Sequence, residues 1–357
     1  MGFISSMFQR RLIGLDVGVS GIKAVELQGG KRPRLLSYNR VPLPWDAIQP
    51  DGEIREHHAV VSALKTLFES SSFTSKKVAI GASGTSIITK KIQMPKMTQE
   101  ELGAQLYWEA EQYIPFQLDD VNLDFAILGD ADSADGQPMM DVLLVAAKKD
   151  YVQGIAAVAS DAGLDPAVVD IQPFALGNVF EFNYGHLLNL SHGAVSAMID
   201  FGAGTTKVSI VEGDKTSFTR DLRQSGTSCT IQISQQLGVS LPEAEKMKIA
   251  SSTEPQVAQI IAQHCENLSE ELSRTLDFYS SQAPDRVIQG IYICGGASRT
   301  LGLIPAMEAR LSAPIHVLNP IQNIAGSGKK MNSEAIKELS YLGAVAVGLS
   351  LRTLGDT

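Results

Sequence analysis

One eight-residue pattern occurs twice in this chain, and no other feature constrains its fold as strongly. Asp16-Val17-Gly18-Val19-Ser20-Gly21-Ile22-Lys23 and Asp200-Phe201-Gly202-Ala203-Gly204-Thr205-Thr206-Lys207 both read D-x-G-x-x-x-x-K. Each follows an apolar run and leads into another: Leu12 to Leu15 and Ala24 to Leu27 around the first, Ala197 to Ile199 and Val208 to Val211 around the second. The copies lie about half the chain length apart. Repetition on that scale predicts two related halves, each offering a strand–turn–strand to one shared ligand.

The residue types in the turn point to a phosphate. Backbone N–H groups at a tip of small residues can approach an anion closely. Gly18, Gly202 and Gly204 leave room for that approach, and Ser20, Thr205 and Thr206 add hydroxyl donors. Asp16 and Asp200 would repel phosphate unless a cation lay between. Magnesium, held by one or two carboxylates and by water, suits that arrangement. A single copy would read more simply as an ordinary hairpin with turn glycines. The second copy, at a matching place, tips the reading to a shared site.

Composition narrows the remaining choices. A net charge of −9 argues against a nucleic-acid or membrane-surface binder, which would carry a basic patch. No apolar run approaches the ~18 residues that span a bilayer. Cys229, Cys265 and Cys294 are scattered without metal-ligand spacing and read as reduced core residues of a cytosolic protein. The pair His57-His58 joins no ligand set. The start, Met1-Gly2 with Ser6, matches a myristoylation pattern, yet residues 1–11 read more simply as a tail with apolar Phe3, Ile4, Met7 and Phe8.

Taken in order, residues 1–85 form a first lobe: the hairpin, a further strand near 35–43, a helix with Val60, Val61, Leu64, Leu67 and Phe68 on one face, and a strand at 78–81. Residues 86–165 form an inserted subdomain. It has a strand at 87–94, a helix at 98–114 opened by the capping box Thr98-x-x-Glu101 and stopped by Pro115, and strands at 121–128 and 141–147. An acidic loop at 129–138 joins those two strands, and a helix near 150–162 closes the subdomain with Gly163 after it. Residues 166–192, with a short helix at 174–180, return to the first lobe and cross over. Residues 193–330 form the second lobe, with the repeated hairpin, helices near 227–237 and from 241, a long apolar-striped helix from Val257 to Tyr279, and a buried strand ending at Gly295-Gly296. Residues 331–357 return helices to the first lobe.

These stretches together resemble the actin-like ATPase superfamily. The octets match its two phosphate loops, and Ile293-Cys294-Gly295-Gly296-Ala297-Ser298 matches its adenosine motif. Glu245 and Lys248 match a pair that brackets adenine and ribose, although Glu-x-x-Lys alone is most often an exposed ion pair. Glu109-Ala110-Glu111-Gln112-Tyr113-Ile114-Pro115-Phe116, Gly226-Thr227 and the closing segment from Tyr341 to Leu349 are similar to the PilM-like family of type IV pilus assembly, related to FtsA. The resemblance implies an α/β actin-like ATPase fold, two lobes each with a ribonuclease-H-like sheet, and a small inserted α+β subdomain. It implies ATP, with magnesium on Asp16 and Asp200 through water. The nucleotide would be held by Asp16, Gly18, Ser20, Lys23, Asp200, Gly202, Gly204, Thr205, Thr206, Lys207, Gly226, Glu245, Lys248, Gly295, Gly296, Ala297 and Ser298.

The resemblance also implies a partner, the N-terminal cytoplasmic peptide of PilN, docked beside the insertion at the bacterial inner membrane. Other pilus components and self-association are open, and neither a nucleic acid nor a transmembrane span is expected. Helix 98–114 and strand 87–94 are the candidate groove, with Trp108 or Tyr107 either anchoring the peptide or completing the subdomain core. Asp170 and Gln172, at the crossover, are the candidates for orienting a hydrolytic water, and slow hydrolysis is expected. Two rivals share the fold: a sugar kinase, for which Asp170 is the one placeable base, and an FtsA-like filament protein, which usually ends in an amphipathic helix not read here.

Overall fold

The computed structural model describes residues 12–30, 32–131, 136–186, 194–250, 254–326 and 332–355. The tail at 1–11 and the middle of the acidic loop lie outside the described residues.

The first octet folds as expected. Strand β1 (Ile13–Gly18) turns into β2 (Gly21–Gln28), and β3 (Arg34–Pro42) completes a meander. After helix α1 (His57–Glu69), strand β4 (Lys77–Ala82) pairs parallel with β1, placing Val78 beside Ile13 and Ile80 beside Leu15. The insertion contains β5 (Ile87–Pro95), α2 (Gln99–Ala110), β6 (Val121–Ala131) and β7 (Met139–Lys148). Helix α3 (Lys149–Asp161), strand β8 (Asp165–Ile171) and helix α4 (Gln172–Tyr184) follow. The second octet spans β9 (Val195–Phe201) and β10 (Thr206–Glu212), followed by β11 (Lys215–Leu222). Helices α5 (Gly226–Leu237), α6 (Leu241–Ile249) and α7 (Pro255–Gln282), strand β12 (Ile288–Cys294), α8 (Leu303–Glu308), β13 (Ile315–Val317), α9 (Ser333–Leu342) and α10 (Ala344–Ser350) complete the chain.

The repetition extends beyond the octets to whole sheets. One sheet runs β3-β2-β1-β4-β8 and the other β11-β10-β9-β12-β13, so each hairpin occupies the same place in its lobe. The insertion is a separate antiparallel sheet, β5-β7-β6, with its own core of Leu102, Leu106, Ile114, Leu144 and their neighbours. Strand β6 alternates between buried or half-buried and exposed residues, whereas the central strand β7 is buried on both faces from Val142 to Ala146.

Three local expectations need correction. The helix expected over 98–114 keeps its Thr98–Glu101 capping box but ends at Ala110. The N–H groups of Tyr113 and Ile114 both turn back to the Ala110 carbonyl, which drives Ile114 into the insertion core. The stop is a tight turn that buries an isoleucine, four residues ahead of Pro115. Helix α3 packs Ile155, Val158 and Ala159 into the first-lobe core with Leu64 and Ile80, so its apolar stripe faces β4 and β8. Helix α4 is longer than 174–180 because Pro173 is tolerated in its first turn. It also reaches across the molecule, since Asn183 Nδ2 donates to the Pro320 carbonyl at 2.9 Å and its Oδ1 accepts from Asn323 N at 2.8 Å.

The small residues of α10 serve close backbone packing. The helix is buried along its length beneath β1 and α4. A Cβ on Gly348 would lie 1.8 Å from the Ala175 carbonyl oxygen, and one on Gly14 1.9 Å from that of Ala346. Gly348→Ala is therefore expected to destabilise the protein by about 2–3 kcal/mol through overpacking. Gly154→Ala, in the exposed interior of α3 with open space around it, is expected to stabilise by about 0.5–1 kcal/mol. Urea denaturation of the two variants checks the contrast.

Candidate functional site

The two hairpins face each other across a cleft of about 1280 Å³. The spacing of the octet explains its chemistry. Across a hairpin closed by two residues beyond Gly18 and Gly21, Asp16 and Lys23 become cross-strand partners, and so do Asp200 and Lys207. In the first lobe this yields an ion pair, Lys23 Nζ to Asp16 Oδ2 at 2.7 Å, largely shielded from solvent. Gln172, in the first turn of α4, donates from Nε2 to the other oxygen, Oδ1, at 3.3 Å. In the second lobe Lys207 Nζ donates to Thr205 Oγ1 at 3.1 Å.

The hairpins are therefore electrostatically unequal. Burial pushes the Asp200 carboxyl above its ordinary value. The Lys207 ammonium opposes that shift, and the Asp16 carboxylate across the cleft reinforces it. Two carboxylates close enough to feel each other, with little water, form a site that a divalent cation would relieve. Among the described residues no group of three His, Cys, Asp or Glu side chains could hold a metal. A cation here would need ligands beyond the protein, which a phosphate chain and water supply.

The glycines divide the labour. A Cβ on Gly18 would meet only ordinary contacts, so this residue leaves the cleft open. Gly204 lies against Val19 and Pro50 of the first lobe, where a Cβ would come within 2.6 Å of Val19 Cγ2; it lets the hairpin tips touch. Gly295 has φ +88, and a Cβ there would collide with Asp200 Oδ1 at 2.3 Å. Its N–H donates to the Tyr341 carbonyl at 3.1 Å.

At the other end of the cleft, Glu245 and Lys248 are not a solvated surface pair. Lys248 is 12% exposed, and its ammonium donates to Glu245 Oε2 at 2.7 Å and to the Gly226 carbonyl and Thr230 Oγ1, both at 2.8 Å. Those bonds use all three donors of a lysine, and Thr230, itself hydrogen-bonded to Glu245, anchors the cluster from within α5. Gly295, Gly296 and Ala297 line the cleft nearby, with Arg299, whose guanidinium lies 5.2 Å over the Tyr341 ring.

Three expected residues stand apart. Thr206 is buried and donates from Oγ1 to the Gln224 carbonyl at 2.7 Å, so its hydroxyl braces a loop. Ser298 Oγ donates to the Gly295 carbonyl at 2.6 Å and shapes the turn. Asp170 is absent from the cleft wall; its Oδ2 lies 3.5 Å from Arg352 Nε, and burial raises its carboxyl. The others from the sequence line the cleft, Ser20 and Thr205 included. Residues missed by sequence reasoning are Thr230, Arg299 and Tyr341. Arg299 directly follows the Gly-Gly-Ala-Ser turn and was within reach; nothing local marks Thr230.

On the insertion, α2 turns Leu102, Leu106 and Ala110 inward. Trp108 is 78% exposed and Tyr107 41%, so Trp108 does not complete the subdomain core. Tyr107 donates to Asp119 Oδ1 at 3.2 Å, and the two rings meet edge to face at 5.5 Å.

Residues 14–354 match the family model described as type IV pilus assembly protein PilM. Among solved structures the chain is similar to a PilM-PilN type IV pilus biogenesis complex, at 29% identity over 98% of this chain and 100% of that one, with a TM-score of 0.85. It is also similar to the ethanolamine utilization protein EutJ from Carboxydothermus hydrogenoformans, at 13% identity over 95% of this chain and 89% of that one, with a TM-score of 0.55. The second likeness shows the fold alone. The paired sheets and the cleft between them are the actin-like ATPase fold.

The raised Asp200 carboxyl has a pH consequence. An unfolded aspartate ionises near pH ~4, before the buried one does. The ligand-free protein should thus lose stability as pH rises from there through the raised value. Asp200→Asn removes that loss. The variant is expected to unfold at higher urea than the parent at pH 7, with the gap closing toward pH 4; equal midpoints at pH 7 would contradict the assignment.

Proposed function

This chain belongs to the type IV pilus assembly protein PilM family, and from that premise we propose that it is an ATP-binding scaffold of type IV pilus assembly, whose nucleotide state governs docking of a PilN peptide. The observation that carries the proposal is the convergence of both acid–lysine hairpins on one cleft whose far end holds the Lys248 cluster and the Gly295-Gly296 turn. The tips would hold the phosphates, with Lys23, Lys207 and the N–H groups around Gly18 and Gly202 as donors. Glu245 and the 295–298 turn would hold the nucleoside. Magnesium, when bound, would neutralise phosphate charge between Asp16 and Asp200.

Hydrolysis would be slow. Gln172, the wall residue best placed to orient water, is already bonded to Asp16, and Asp170 is paired with Arg352 outside the cleft wall. That arrangement favours a switch over a fast enzyme, and it takes Asp170 away from the base role that a sugar kinase would need. The partner would be PilN, as the name of the similar complex suggests, and the part that docks would be its cytoplasmic N-terminal segment. It would dock on the insertion, with Trp108 as an aromatic anchor. Among the described residues no helix is long and apolar enough to cross a membrane. A position at the inner membrane would follow from docking to the partner.

Calorimetric titration with ATP and magnesium tests the site. Asp16→Ala and Gly202→Val are each expected to weaken binding at least tenfold, ~1.4 kcal/mol; unchanged affinity in both sinks the reading. Turnover by the isolated protein is expected to stay well below the ~1–100 s⁻¹ typical of kinases. Trp108→Ala is expected to cost about 2 kcal/mol in affinity for a synthetic PilN N-terminal peptide while leaving ATP affinity unchanged, as fluorescence anisotropy would show.

A further inference from the structure

The insertion touches the second lobe as well as the first, and it does so through polar groups. Its hydrophobic cluster contains no second-lobe residue. Instead Lys215, the first residue of β11, donates from Nζ to the carbonyls of Ile127 and Leu128 on β6, at 2.9 and 3.0 Å. Nearby, the Thr89 hydroxyl on β5 meets the Thr219 hydroxyl on β11. Beside these contacts lies a second cavity, about 780 Å³, with Lys91, Asp141, Glu212, Asp214, Ser217 and Arg286 on its walls. The seam is polar and wide enough for water, so it can slide without exposing an apolar core.

The insertion's other attachment is covalent and tight. It leaves the first lobe between β4 and β5 and returns between β7 and α3. Lys148 N donates to the Ser86 carbonyl at 3.0 Å, and Ile87 N to that of Gly84 at 3.1 Å. Gly84 has φ +104, and a Cβ there would lie 1.7 Å from the Asp51 carbonyl oxygen, so the pivot is pressed against the loop before α1.

We propose that Lys215 and Thr219 form a latch through which the second lobe sets the orientation of the insertion, passing closure of the nucleotide cleft to the partner-docking subdomain. This rests on the function proposed above. A rigid-body rotation of one lobe against the other must either drag the insertion about its pivot or break the latch. The lysine stem is flexible and its ammonium donors rotate, so the latch can follow a small rotation. A seam without a large hydrophobic interface makes such motion the default. Whatever preference ATP has for the closed cleft then appears as a preference for one pose of the insertion, and the coupling runs equally in both directions.

A Thr89→Cys/Thr219→Cys double variant tests the latch directly. Native Cys229, Cys265 and Cys294 are buried, and burial pushes their thiols up, to about 11 and about 12 for the first two, so they compete poorly for oxidation. The readout is affinity for the fluorescent PilN peptide with and without ATP and magnesium. Reduced protein should respond to ATP as the parent does. Oxidised protein should keep that response, since the disulfide holds the same β5–β11 contact covalently. The untied variant, Lys215→Ala/Thr219→Val, should lose at least threefold of the response while its ATP affinity stays within twofold of the parent. Failure of the cysteines to cross-link, loss of the response in the oxidised protein, or a full ATP response in the untied protein overturns the latch alone. A parent protein that binds ATP but shows no peptide response overturns the latch and the coupling, leaving the nucleotide site standing. Absence of ATP binding overturns the proposed function, and the latch with it.

Discussion

Two carboxylates held near each other, with little water, dominate this molecule. Asp16 and Asp200 lie near the ends of β1 and β9, in two sheets with the same strand order, and line the same cleft. Bringing them together is unfavourable by desolvation and by repulsion. The fold supplies partial compensation: Lys23 lies directly across the hairpin from one acid, Lys207 occupies the same position in the other, and Gln172 donates a hydrogen bond. The compensation is incomplete at Asp200. A protein that keeps such a site without a stability benefit is a candidate for binding what relieves it.

Much of this was legible in the chain because the repeat is both chemical and geometric. The seven-residue separation of Asp and Lys becomes a cross-strand pair as soon as the turn closes. The apolar runs on either side are long enough to fix β1, β2, β9 and β10 within a residue or two. The glycine pair after β12 was visible by type, since glycines closing a buried strand permit a turn that other residues resist, and Gly295 does adopt φ +88. The insertion's three strands and the Thr98 capping box were local signals that survived into the structure.

Other parts depended on tertiary contacts that no local pattern records. Thr206 and Ser298 looked like ligand donors by type, yet their hydroxyls are spent on the Gln224 and Gly295 carbonyls. Asp170 looked like a base by position, and Arg352, far along the chain, takes it instead. The end of α2 was misread because a proline is a conspicuous stop, whereas the turn at Ala110 is set by where Ile114 finds a core. Helix α3 lies next to the insertion in sequence but shows its apolar side to the first sheet. Thr230 is an ordinary helical threonine until α6 brings Lys248 over it.

The burial of α10 bears on how the chain is made. Its backbone presses on Gly14 of the opening strand and on Ala175 of α4 so closely that no side chain fits between. During synthesis β1 thus lacks this lid until α10 has emerged. One apolar cluster of the second lobe draws on none of those late residues, whereas Met198, Tyr292 and Cys294 of the same lobe share a cluster with them. Synthesis order and assembly order therefore differ here: β1 is translated long before the helix that shelters one of its faces, and that face stays exposed on a nascent chain until α10 follows.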